Sequence, residues 1–381
     1  MGMGSAMLHR PWLRPRAVAI QAAVALGLLA VLWWLWGNLQ ANLAIRNLRL
    51  GFSFLDQPAG FALSEGVLGY QAGDSYLHAF AAGVANTIRV SVAAILLTTL
   101  LGTLIGVARL VENRVVRALA TGYVDIVRNV PLLVQVLVWY IALNQTLPPG
   151  SEALNPLPDV YLSKEGLSFP APLHGLGWTI AGWGTVAALA AGWLVGKASG
   201  RCAAGGGVAL LGIVAAFATG PLLLDTPLAV EVPEANLFTI AGGGTLSPEF
   251  LSLLTALTLY HAAYMAEIVR AGIAAVPKGQ WEAAAAVGLG RGRLLSLVVL
   301  PQALRVIIPP YISLSLNITK NSSLAVAIGY PDVVAVANTS MNQNGQAVEC
   351  ILIVASVYLT MSLLTSAVLN LYNRKFALRE R

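Results

Sequence analysis

The chain has 381 residues, of which 57% are hydrophobic and only 10% charged, with a mean hydropathy of +0.72. Soluble domains carry roughly a quarter charged residues, so this composition excludes an ordinary water-soluble enzyme and reads as a polytopic, all-α membrane protein. The net charge of +6 fits basic cytosolic loops facing anionic lipid better than a nucleic-acid footprint.

In chain order, Arg10, Arg14 and Arg16 precede an apolar run from Ala17 to Gly37, long enough to cross a bilayer. Trp33, Trp34 and Trp36 close it as an interfacial belt, which reads as a retained anchor with a cytosolic N-terminus. Residues 38–86 form a polar external segment with Asp56, Glu65 and Asp74. A second span, Thr87–Arg109, carries Gly102 and Gly106 at the spacing that lets helices approach closely. After a loop with Arg109, Arg114 and Arg117, a third span covers Val124–Leu147. Asp125, Arg128, Asn129 and Pro131 stand at its entrance, as headgroup anchors or as functional groups, with Pro131 at a kink or in the first turn.

Proline-rich residues 148–175 read as an external loop. The spans Leu176–Gly196 and Ala204–Leu224 carry almost no polar side chain and read as a peripheral hairpin, with Lys197 and Arg201 marking a cytosolic turn. Residues 225–248 return outside. A sixth span, Pro248–Gly272, contains Tyr260, His261, Tyr264, Glu267 and Arg270; the last two share a helical face and can pair. His261 reads as a packed, hydrogen-bonded residue before a switch.

Residues 277–301 are unlike the rest. Trp281, Glu282 and four alanines predict a helix of two to three turns ending near Gly288, too short to be stable alone and therefore resting on a partner. A seventh span, Leu294–Leu316, runs into the polar stretch Asn317, Thr319, Lys320, Asn321, Ser322 and Ser323, then into a second apolar piece ending near Tyr330. That interruption fits either a water-lined path for a small zwitterion or a polar elbow at the outer surface. Residues 331–346 read as an outside loop, and an eighth span, Ala347–Tyr372, ends in Arg374, Lys375, Arg379 and Arg381.

Of the 23 Lys and Arg residues, 16 fall in the segments assigned to the cytosol and three (Arg46, Arg49, Lys164) outside. This bias puts Glu282 in the cytosol. Arg89, Arg128, Arg305 and Lys320 lie in or beside spans. Cys202 and Cys350 are far apart in sequence, and the four histidines have no metal-binding spacing. With no GxxxxGK[ST] stretch, the chain has no P-loop of its own.

The series Glu282-Ala283-Ala284, Gly288, then Val298 to Leu300-Pro301 resembles the EAA loop of ABC importer membrane subunits. Residues 86–140, including Arg128-Asn129 and Pro131, and residues 260–282 resemble the polar amino-acid permeases. The extra hairpin resembles the Q subunit of the bacterial general L-amino-acid permeases. The resemblance implies a type I (MetI-like) core of five or six helices within the eight. It divides the chain into an anchor and external segment (1–85), a permease domain (86–372) and a basic tail (373–381). Inside the permease domain lie an insert (144–245) and a coupling loop (277–293). It further implies that Trp281, Glu282, Ala283, Ala284, Gly288, Leu300 and Pro301 couple to an ATPase subunit, with Ala283 and Ala284 supplying a close-fitting face. The implied partners are that ATPase, holding ATP and Mg, a second homologous permease as heterodimer, a periplasmic binding protein and an L-amino acid. This chain would carry no cofactor of its own. A secondary transporter, driven by an ion gradient and working alone, is the rival reading.

Overall fold

The computed structural model describes residues 15–45, 51–173, 175–200, 202–223, 228–236 and 239–376. Arg10, Arg14, Arg46, Arg49, His9, His174, Arg201, Arg379 and Arg381 lie outside the described residues. Helices dominate: α1 (Pro15–Ile45), α2 (Tyr76–Ala108), α3 (Arg114–Asn129), α4 (Leu132–Thr146), α5 (Leu176–Ser199), α6 (Cys202–Leu223) and α7 (Pro248–Ala274). They continue as α8 (Lys278–Ala286), α9 (Arg291–Leu294), α10 (Leu300–Asn321), α11 (Val333–Asn344) and α12 (Ala347–Phe376).

Among the described residues five helical runs are long and apolar enough to cross a membrane, and the α3–α4 pair makes a sixth. The remaining two of the eight expected spans are α6, whose described apolar stretch Ala204–Thr219 is short, and α7, which carries Glu249, Glu267 and Arg270.

The bundle is built around α2 and α7, which run parallel in close contact. A Cβ on Gly102 would lie 2.5 Å from Met265 Cβ, and one on Gly106 would lie 2.7 Å from the Ala266 carbonyl oxygen. The two glycines therefore let the backbones approach as the sequence spacing predicts. Val90, Ala94, Leu253, Ala256 and Leu257 fill the seam, and α4 and α10 pack on α7's other sides.

Four expectations are corrected. The third span is two helices, α3 and α4, bent by 104°. Val130 is extended (φ −98°, ψ 125°), as a residue before proline must tend to be, and Pro131 has no N–H to continue the ladder. The Gln135 amide covers the freed carbonyls of Val127 and Val130 at 3.0 Å each. Second, α2 starts at Tyr76 rather than Thr87, with Ser75 as N-cap. At about 1.5 Å per residue it is some 50 Å long, more than the hydrocarbon core of about 30 Å, so its first turns project outside. Third, the polar run does not break the seventh span. Asn317–Asn321 complete α10, and a 3₁₀ stretch, Ser322–Ile328, prolongs it. Fourth, residues 331–346 are mostly α11, which Asp332 caps by accepting from the Ala335 N–H at 2.8 Å.

The insert is also more ordered than a loop. Strands β1 (Leu154–Leu157), β2 (Val160–Ser163), β3 (Gly166–Phe169) and β4 (Ala171–Pro172) precede α5; β5 (Val230–Glu231), β6 (Glu234–Ala235), β7 (Ile240–Ala241) and β8 (Gly244–Leu246) follow α6. One antiparallel sheet has the order β1-β2-β3-β8, and β4 pairs with β5. Chain from either side of the α5–α6 hairpin thus closes on itself beneath it. The hairpin helices pack on each other through Ala and Gly, with Leu176, Trp183, Leu189 and Trp193 exposed, as a peripheral hairpin would.

Candidate functional site

The candidate site has two parts joined by α10. At the cytosolic end by the sequence reading, α8 follows Pro277 and stops at Gly288, whose φ of +78° is left-handed and strained for any side chain. Gly290 caps α9, and a π-helical stretch, Leu295–Val299, leads into Leu300-Pro301 at the start of α10. Residues 291–321 are thus one helical run, to which α8 is joined by the turn at residues 288–290. The short helix is seated by Trp281 and Leu289, which pack on the core, by buried Ala284, and by Gln302, whose amide donates to Gln280 Oε1 at 3.4 Å and to Val298 O at 2.9 Å.

This seating splits the expected alanine face. Ala284 points into the chain's own core, whereas Glu282, Ala283, Ala286 and Val287 face outward, Val287 with 75% of its surface exposed. Because α8 opens at Lys278, Glu282 sits in its second turn and not at its N-terminus. A carboxylate there gains little from the helix dipole, whose effect fades within the first turn. Its exposure leaves it available to a cation on another chain.

The second part is an open cleft of about 490 Å³ between α3, α7 and α10. Arg128, Tyr264, Glu267, Ser313 and Asn317 are its polar lining. The Arg128 guanidinium lies 4.9 Å from the Tyr264 ring centroid, a cation–π contact that orients it. Glu267 pairs with Arg270, as their spacing predicts, and also with Arg109 at the end of α2. The spacing rule for one helix could not find Arg109, because it is 158 residues away.

Of the polar run, only Asn317 lines this cleft. Lys320 is exposed. The Thr319 hydroxyl donates to Ser315 O at 3.1 Å, Ser322 to Thr319 O at 2.7 Å and Ser323 to Lys320 O at 2.8 Å, so all three are engaged within the protein, Ser322 and Ser323 also by Tyr358 of α12. Asn321 reaches His261 Nε2 at 3.1 Å, while His261 Nδ1 contacts Leu257 O at 2.8 Å. A carbonyl only accepts, so Nδ1 carries the proton and Nε2 accepts from Asn321. His261 is a satisfied packing residue. Sequence reasoning left Arg128 open between a headgroup anchor and a functional group, and read Glu267 as a partner of Arg270; that the two line one cleft had no signal in the sequence.

The described architecture agrees with what related proteins are. Residues 208–378 match the family "binding-protein-dependent transport system inner membrane component". The general L-amino acid transport system permease protein AapQ of Rhizobium johnstonii is 41% identical over 96% of this chain and 93% of its own length. The putative amino-acid ABC transporter permease protein YhdX of Escherichia coli is 40% identical over 99% and 98%. The glutamate/glutamine/aspartate/asparagine transport system permease protein BztB of Rhodobacter capsulatus is 39% identical over 97% and 95%. With identity of this extent along almost the whole chain, the protein belongs to the inner membrane components of binding-protein-dependent transport systems.

Proposed function

We propose that the chain is the permease subunit of an ATP-driven importer of L-amino acids, of broad or Glu/Gln/Asp/Asn type, in a bacterial inner membrane with both termini cytosolic. The observation that carries the cargo reading is the cleft: the Arg128 guanidinium suits the carboxylate of an amino acid and Ser313 and Asn317 its remaining polar groups, while Glu267 is already held by Arg109 and Arg270. The cleft is open to its surroundings, which leaves room for a second permease to complete it. The relatives' names as amino-acid permeases support the same class.

ATP and Mg belong to a separate ATPase subunit that receives the outward face of α8, a helix-in-groove contact. Glu282 supplies the charge and Val287 the apolar anchor. Motion of α8 passes through Leu300-Pro301 into α10 and so into a wall of the cleft. A periplasmic binding protein delivers the amino acid. ATP drives transport because the two ATPase states bind the two permease conformations with different affinity.

The test is ATPase activity of the co-purified complex in vesicles, which rises when loaded binding protein is added. Activity indifferent to the binding protein, or uptake by this chain alone on an ion gradient, defeats the reading. Glu282→Lys is expected to weaken ATPase co-purification about tenfold or more, since a like-charge contact costs several kcal/mol.

A further inference from the structure

The external segment before α2 is tied to the transport helices in a way that neither the coupling loop nor the cleft uses. Residues 57–76 form a loop closed at its neck. Pro58 bridges Ser75, the Ala59 N–H donates to Asp74 O at 2.8 Å, and the Tyr76 N–H donates to Gln57 O at 3.0 Å. The loop lies over a cleft of about 360 Å³, with Leu63 and Ser64 on one side and Pro331 and Asn338 on the other. Its tip carries Val67 and Leu68, both about half exposed.

One residue fastens it. Glu65, with 8% of its side chain exposed, pairs with Arg89 of α2 and accepts from the hydroxyl of Ser247. Ser247 is the N-cap of α7, also accepting from the Phe250 N–H at 3.1 Å. The Arg89 guanidinium lies 4.6 Å from the Phe250 ring centroid. The Glu65 carbonyl accepts from Asn86 Nδ2 at 3.0 Å, and the same nitrogen donates to Pro331 O at 3.0 Å. Tyr330 donates to Asn86 O at 3.1 Å. Glu65 therefore binds α2 and the start of α7 directly, and the turn between α10 and α11 through Asn86. Separating any two of these three outer ends breaks at least one bond of this network.

We propose that residues 57–76 are a strap across the outer mouth of the permease, latched by Glu65, and that the latch comes undone when the binding protein of the proposed complex opens the outer ends of these helices. Glu65 and Arg89 are then positioning residues for outward opening, a two-state element of the kind that transport needs. This rests on the permease reading above. Arg89, a charge beside a span with no evident role in sequence, is explained by it.

The test uses the whole complex in vesicles. Glu65→Gln and Arg89→Gln are each expected to raise ATPase activity without binding protein about tenfold, the equilibrium shift a charge-assisted hydrogen bond carries. The stimulation ratio falls to match. The double reversal, Glu65→Arg with Arg89→Glu, restores the low basal rate. In an otherwise unchanged chain, spin labels at Val67 and Asn342 move apart when loaded binding protein docks. Unchanged basal rates, basal and stimulated rates falling together, or a fixed label distance overturns the strap. If the unaltered complex ignores the binding protein, the permease reading fails instead.

Discussion

Helices α7 and α5 are similar in length, 27 and 24 residues, and opposite in situation. α7 carries Glu249, His261, Glu267 and Arg270 and is packed by α2, α3, α4 and α10. α5 has Lys197 as its one charged residue, packs on α6, and turns Leu176, Trp183, Leu189 and Trp193 outward. By apolarity α5 qualifies as a membrane span and α7 does not. Lipid explains the inversion. A side chain facing acyl tails costs nothing if apolar, whereas an ionisable group must face protein or water. In this chain the polar helix is the inner one, and lack of features marks the periphery.

The contrast can be broken most severely at Gly102. Gly102→Leu forces side-chain atoms into Met265 and the Ala262 carbonyl, an overpacking expected to cost at least about 3 kcal/mol and to abolish folded protein in detergent. Leu189→Ala on α5 is expected to cost less than about 0.5 kcal/mol, read as a small shift in melting temperature. Equal losses would mean the hairpin is not peripheral.

A larger excision sharpens the same point. Leu173 N–H donates to Ala229 O at 2.9 Å and Pro172 pairs with Val230, so the hairpin's two ends meet. Replacing residues 174–228 by a short turn between β4 and β5 is expected to leave folding and ATPase co-purification intact, measured by size-exclusion chromatography. Aggregation would show that the hairpin supports the core.

Within the inner helices the comparison narrows to single groups. Arg128→Ala and Asn317→Ala are expected to raise the half-saturating concentration for uptake, the former about tenfold because a charged hydrogen bond is lost. Thr319→Val, which removes a bond only to its own helix, is expected to change uptake little. The reverse order would return the transport path to the end of α10.

The smallest effect is a pH dependence. Burial pushes the Asp332 carboxyl up to about 7. Between about pH 4 and that value the native state holds a proton that the unfolded chain has lost, so stability falls as pH rises through this window. Asp332→Asn keeps an N-cap acceptor and is expected to flatten the fall in melting temperature between pH 5 and pH 8.

The approximate positions of most spans were legible because apolar length must match the bilayer, but the start of α2 at Tyr76 and the break between α3 and α4 were not. The short helix α8 and its stop at Gly288 were legible because propensity and left-handed φ are local. Local rules failed where a bond crosses the bundle. Arg109 reaches Glu267, Glu65 reaches Arg89 and Ser247, and β3 finds β8 across the whole hairpin. The hydroxyls of Thr319, Ser322 and Ser323 looked like a path because sequence shows that a group is polar but not whether its own backbone already satisfies it.

By itself, then, the sequence determined that the chain crosses a membrane, where its basic loops fall, and that one short helix between Pro277 and Gly288 stands apart from the spans. Only the tertiary structure decided which face of that helix is left for a partner, with Ala284 inward and Glu282 and Val287 outward. It also decided that Arg128 and Glu267 share a cleft. The reason is physical: propensity and hydropathy act within a turn or two of chain, whereas burial and charge pairing depend on which distant segment packs alongside.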